Sequence, residues 1–130
     1  MDAALSSLRA AFNGKLLVGE DMAPFLTDWR RKWTGQARAV VQPDTADDVA
    51  AVLAWCHAQR VPVVPQGGNT GLSGGATPTE SGDAVVISLA RLNRVRRIDT
   101  ANNTIEVEAG VTLQQVQDAA REAGRLFPLS

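Results

Sequence analysis

The sequence predicts an α+β fold, a mixed sheet flanked by helices with a β-α-β unit early in the chain. Three observations carry this. Residues 38–42 (RAVVQ), a helical pattern starting at Thr45, and residues 61–65 (VPVVP) read as strand, helix and strand in quick succession. Residues 84–89 (AVVISL) form a nearly continuous apolar run, as expected of a strand covered on both faces. Residues 94–99 and 104–109 alternate on either side of a short polar turn, which is the pattern of a hairpin.

Taken in order, residues 2–13 repeat Leu5, Leu8 and Phe12 at helical spacing, and Gly14 is placed to end that helix in a left-handed conformation. Residues 15–35 show little periodicity and are expected to be irregular. Trp29 and Trp33 in such an arm imply that it packs on something. A strand at 38–42 is closed by Pro43. Thr45 and Asp48 resemble a capping box, and Val49, Val52, Leu53 and Cys56 form the apolar stripe of the helix that follows. The strand at 61–65 should lie parallel to the strand at 38–42 with a right-handed crossover. In the hairpin, Ile105 and Val107 are expected on one face and Glu106 and Glu108 on the solvent face. Thr112 with Gln115 makes a capping box, Val111 and Val116 fit a hydrophobic staple, and Gly124 ends the last helix. Two regions follow from this reading: a helix and irregular arm at 1–35, and a sheet-forming region at 36–130.

Composition narrows the function classes. With 130 residues, 45% apolar and 21% charged, the chain suits one ordered domain. A net charge of −1 argues against nucleic acid as a partner. Lys15 and Lys32 are the only lysines, and the pairs Arg30 with Arg31 and Arg96 with Arg97 read as solvated surface. Cys56 is the sole cysteine, so no intrachain disulfide forms and a cytoplasmic setting is expected. It lies on an apolar helix face, as a core residue would. His57, the sole histidine, points about 100° away from it, so neither a Cys/His pair nor a metal site is expected. The start of the chain has no secretory pattern, and no apolar run reaches the ~18 residues of a membrane span. The apolar close of the chain reads as the N-terminal part of something longer.

The segment that carries chemistry is Pro65, Gln66, Gly67, Gly68, Asn69, Thr70, Gly71, Leu72, Ser73, Gly74 and Gly75. Glycine lets the backbone approach a ligand with no Cβ between them, and consecutive N–H groups can converge on an anion. Asn69, Thr70 and Ser73 add side-chain donors. The spacing excludes a P-loop, because no lysine follows Lys32. It also excludes the dinucleotide fingerprint G-x-G-x-x-G, because residues 76–82 cannot open a helix. On these grounds alone an anion cradle and a plain surface loop both stand.

Further motifs add a resemblance. VPVVPQGGNTGLSGGATP, VVISLARLNRV, IEVEAGVTLQQV and LFPLS occur in this order, and Asp28, Trp29, Arg30 and Gly35 precede them. Together they resemble FAD-linked oxidases of the PCMH/vanillyl-alcohol-oxidase type. The greatest similarity is to the group of D-lactate dehydrogenases, glycolate oxidases and D-2-hydroxyglutarate dehydrogenases. The resemblance implies the first subdomain of a PCMH-type FAD-binding fold. It implies that residues 67–71 wrap the FAD diphosphate, that Ser73, Gly74 and Gly75 continue toward the flavin, and that Pro65 and Gln66 set the entry. Covalent members carry a histidine after the paired glycines. Asn69 stands there in this chain, so the implied cofactor is non-covalent FAD. Gly110 is read as a turn before the last helix.

The implied reaction is hydride transfer from a D-2-hydroxy acid to FAD, followed by reoxidation by an unspecified electron acceptor. No catalytic residue is assigned to this chain: Glu106, Glu108 and Asp99 read as structural, and this stretch alone is expected to be inactive. A non-catalytic FAD- or anion-binding module completed by a partner chain is the alternative. A cell-wall-precursor reductase of the same superfamily fits the spelling of the loop poorly.

Overall fold

The computed structural model describes residues 2–129. Helix α1 (Ala3–Ala11) starts where the Asp2 carboxylate accepts the Leu5 N–H at 2.8 Å. Its end differs from expectation. Gly14 does not terminate the helix in a left-handed turn. It opens strand β1 (Gly14–Leu17), and a Cβ there would collide with the carbonyl of Gln42 on the neighbouring strand. Residues 15–35 are accordingly less irregular than predicted, since β1 is followed by a 3₁₀ helix, Gly19–Phe25. Four residues are too few for an alternation signal, and β1 lies at the edge of its sheet.

Strand β2 (Ala39–Pro43), helix α2 (Ala46–Gln59), strand β3 (Val63–Gln66) and strand β4 (Val85–Ser88) complete the main sheet in the order β1-β2-β4-β3. β1 is antiparallel to β2, and β4 is parallel to both β2 and β3. The predicted β-α-β unit therefore exists with parallel strands, but β4 lies between them. All four residues of β4 are buried, as the apolar run implied. Pro65 sits in the terminal strand β3, a position compatible with its missing N–H.

The core lies between the sheet and helices α1 and α2. Leu5, Leu8, Val41, Val52, Trp55 and Ile87 belong to one contiguous cluster. Complete burial of a residue such as Leu8 contributes about 1.5–3 kcal/mol. The α2 stripe is rotated from the predicted one: Val52 and Cys56 are buried, whereas Leu53 is 45% exposed and Trp55 takes the inward position. The Trp55 indole N–H is satisfied by Ser7 Oγ at 2.8 Å.

Thr45 caps α2 as predicted, accepting the Asp48 N–H. The Asp48 carboxylate does more than a capping box asks. It accepts the Asn13 N–H at 3.0 Å and the Thr45 hydroxyl at 2.7 Å, so it links the end of α1 to the start of α2. These bonds, with Asn13 first, hold its carboxyl below the usual aspartate range. Because α1 and β1 share the core and sheet of residues 39–88, the helix of the N-terminal region is not a separate body.

Strands β5 (Val95–Asp99) and β6 (Thr104–Val107) pair as the predicted hairpin in a separate two-stranded sheet, with a bulge between Val95 and Arg97. Helix α3 (Leu113–Glu122) has the full Thr112–Gln115 capping box. It ends with Gly124 at φ 73°, where the Gly124 and Arg125 N–H groups bond back to the Arg121 and Ala120 carbonyls. Among the described residues no helix is long and apolar enough to cross a membrane.

Candidate functional site

The glycine-rich segment opens the connection between two neighbouring parallel strands. β3 ends at Gln66, the chain leaves the carboxyl edge of the sheet, and it returns to enter β4 at Val85. Such crossovers usually contain a helix. This one has none, so its shape must be held from outside.

The arm ahead of β2 does this. Gln66 is buried, and its side-chain amide donates to the carbonyls of Phe25 at 2.9 Å and Ala76 at 3.0 Å. Asn69 adopts φ 57° and donates its side-chain amide to the Thr27 carbonyl at 2.9 Å. Arg30 Nη2 reaches the Leu72 carbonyl at 3.3 Å. The Trp33 ring lies over Gly74, where a Cβ would come within 3.1 Å of it. Gly35 lets the arm pass against the Pro78 carbonyl, and the Gln36 N–H donates to the Thr79 carbonyl at 2.9 Å. The expected packing partner of the two tryptophans is thus the glycine loop in the case of Trp33. Trp29 remains 64% exposed at the edge of a groove.

That groove, of about 590 Å3, runs between Thr27, Asp28, Trp29 and Arg31 of the arm and Gly68 and Asn69 of the loop. A smaller one, of about 310 Å3, lies on the other side of the loop between Lys32, Trp33, Ser73, Gly74 and Glu80.

The glycines themselves are informative. Positions 68, 71 and 75 have no positive φ, and a Cβ built on any of them meets nothing within 4 Å. Neither backbone conformation nor packing inside the chain calls for glycine there. What a side chain would fill is the open space in front of the loop, which suits a ligand lying against bare backbone. The predicted site residues divide accordingly. Gly67, Gly68, Thr70, Gly71, Leu72, Ser73 and Gly75 form the exposed rim, whereas the side chains of Gln66 and Asn69 fix the loop from behind. Pro65 lies in β3, and Gly74 carries the turn under Trp33.

Contributions from Phe25, Thr27 and Asp28 were not assigned from sequence. The nearest signal was the pair of tryptophans beside Asp28.

Glu108 and Cys56, both outside the loop, are structural. Glu108, expected on a solvent face, is buried and paired with Arg94 at 3.0 Å and Arg96 at 3.8 Å. It also accepts the Arg94 N–H at 2.8 Å. The Arg94 side chain, followed by its backbone N–H, holds the Glu108 carboxyl below the usual range, and the Arg94 guanidinium is pushed up in return. This arginine pairing, not water, is what the outer side of the strand end meets. Cys56 is buried, and burial pushes its thiol up, as fits a core residue. His57 is exposed on α2. Among the described residues no group of His, Cys, Asp and Glu could hold a metal ion.

The profile of a family described as an FAD binding domain matches residues 37–130. A D-2-hydroxyglutarate dehydrogenase from Xanthomonas citri pv. viticola is 41% identical over 109 residues, covering 84% of this chain and 23% of that protein. A mitochondrial D-2-hydroxyglutarate dehydrogenase from Bos taurus is 32% identical over 126 residues, covering 96% of this chain and 23% of that protein. The chain thus spans about a quarter of the length of these relatives. Crystalline p-cresol methylhydroxylase with substrate bound superposes with a TM-score of 0.72 and 26% identity, over 93% of this chain and 24% of that one. The mixed sheet with its helix-free glycine crossover is therefore a PCMH-type fold, and the chain belongs to the FAD binding domain family.

Proposed function

We propose that this chain holds FAD non-covalently, with the diphosphate against residues 67–75, as part of an oxidoreductase that oxidises a D-2-hydroxy acid. The observation that carries the reading is the row of glycines at 68, 71 and 75 that nothing inside the chain requires. Backbone N–H groups on such a rim can approach phosphate oxygens closely. Gln66 and Asn69 are positioning residues in this scheme, because their amides are committed to Phe25, Ala76 and Thr27. Asn69 also accounts for the non-covalent mode, since it offers no nucleophile to the flavin. Bound FAD would supply a two-electron acceptor, and the chain's own part is to bind and orient it. The substrate class rests on the names of the two dehydrogenase relatives. A cytoplasmic location goes with the reading and is supported by the single free cysteine.

The test is flavin content. Gly68→Val and Gly71→Val in the full-length protein should abolish FAD retention with the circular dichroism spectrum unchanged, because the added atoms enter open space. Unchanged flavin content in both variants would make the loop a purely structural crossover.

A further inference from the structure

We infer that the tip of the arm, residues 29–32, is an electrostatic clamp on the diphosphate, with Arg31 as its principal contact. The inference rests on the diphosphate lying at the glycine loop, and it concerns residues outside the segment matched by the family.

The tip is a built structure. Asp28 and Trp33 close it from both sides: the Asp28 N–H donates to the Trp33 carbonyl at 3.1 Å, and the Trp33 N–H donates to Asp28 Oδ1 at 2.7 Å. Thr27 and Thr34 form a bridge below them, and the Arg31 N–H donates to the Asp28 carbonyl at 3.0 Å. What projects is Trp29, Arg30, Arg31 and Lys32.

Three consecutive cations therefore stand at the edge of the glycine loop. Arg30 reaches the Leu72 carbonyl, Arg31 lines the groove shared with Gly68, and Lys32 lines the groove shared with Ser73 and Gly74. Among the described residues none of the three lies within ion-pair distance of a carboxylate. Arg91, Arg94, Arg96, Arg97 and Arg121 all do. Arg9, Lys15, Arg38, Arg60 and Arg125 also lack a carboxylate partner among the described residues, but no two of them are consecutive; three such cations stand together only at the arm tip, beside the loop whose exposed backbone suits an anion. Two carboxylates line the same grooves. Glu80 faces Lys32 across the smaller groove, and Asp28 lines the larger one at the base of the tip. They offset part of the charge, and a positive excess remains.

Arg31 differs from Arg30 and Lys32 in its backbone. It is held at φ 58°, a conformation unfavourable for a residue with a long side chain and tolerated where the surroundings impose it. A guanidinium there offers a planar fork of donors matched to phosphate oxygens.

The experiment measures FAD binding to full-length apoprotein by quenching of flavin fluorescence, at two salt concentrations. Asparagine tolerates the left-handed conformation, so Arg31→Asn removes the charge with little demand on the turn. It should raise the Kd for FAD about tenfold, which corresponds to about 1.4 kcal/mol. It should also flatten the salt dependence, and Arg31→Lys should restore most of both. A Kd for Arg31→Asn within about twofold of wild type, or a weaker Kd with the salt dependence intact, would overturn the clamp. Gly68→Val separates the two levels. If it abolishes FAD binding while Arg31→Asn does nothing, the clamp alone fails; if neither has an effect, the diphosphate reading of the loop fails with it.

Discussion

Asn69 donates its side-chain amide to the Thr27 carbonyl at 2.9 Å while its own backbone stands at φ 57°. One residue thus meets two requirements, a left-handed turn and a tether between loop and arm. Few residue types do both. Asn69→Gly keeps the turn and loses the tether, so it should cost about 1 kcal/mol in urea unfolding. Asn69→Val loses both and should cost about 2–3 kcal/mol. A glycine variant less stable than the valine variant would contradict this account.

The same asparagine bears on how the flavin is held. Acid precipitation of the full-length holoprotein should leave all the flavin in the supernatant. A yellow pellet that keeps its colour through washing would show a covalent bond and overturn the non-covalent assignment.

Two glycines with opposite surroundings give a stability test. A Cβ on Gly110 would run into the Leu89 carbonyl, whereas one on Gly75 meets nothing. The Gly110 N–H also donates to the Leu92 carbonyl at 2.8 Å, so the backbone there cannot easily withdraw. Gly110→Ala should lose at least about 2 kcal/mol, and Gly75→Ala should stay within about 0.5 kcal/mol. Equal losses in thermal or urea melts would refute the distinction.

Acid should weaken the fold through two carboxylates, Asp48 and Glu108, whose pKa values are depressed by their partners. The unfolded chain binds their protons more readily than the folded one. Their stabilisation is therefore fully present above the ordinary carboxylate range, about pH 4–5, and is lost as the pH falls through the depressed folded values. Glu108→Gln should be clearly less stable than wild type at pH 7, and the difference should shrink toward about pH 3. A constant gap across that range would mean that the ion pairs with Arg94 and Arg96 contribute nothing through charge.

Much of this was legible in the sequence because it rests on local signals. The Thr112–Gln115 box, Gly124 after α3 and the apolar run of β4 each express their role within a few residues, and each is found in place. The readings that needed revision depend on what lies across space. Leu53 and Trp55 suit an apolar stripe equally well, and only the direction from which α1 and the sheet approach α2 decides between them. Glu108 alternates as a solvent residue should, until Arg94 folds back over it. The arm carries no periodicity because its order comes from hydrogen bonds to a loop some forty residues further along, between Thr27 and Asn69 and between Arg30 and Leu72.

The position of β4 between β2 and β3 has a consequence for how the molecule assembles. β2 and β3 do not pair with each other, although they are consecutive in the chain; β3, and the edge of β2 that faces away from β1, must wait for Val85–Ser88. Closing the central pairings therefore means first gathering the long glycine-rich connection into a loop, an entropic toll that slows non-local sheets. In pulsed hydrogen-exchange refolding the amides of β3 and β4 should become protected in a single step, with β3 gaining nothing ahead of β4. The loop proposed to meet the cofactor would then acquire its shape in the same event that closes the sheet, as a late product of folding.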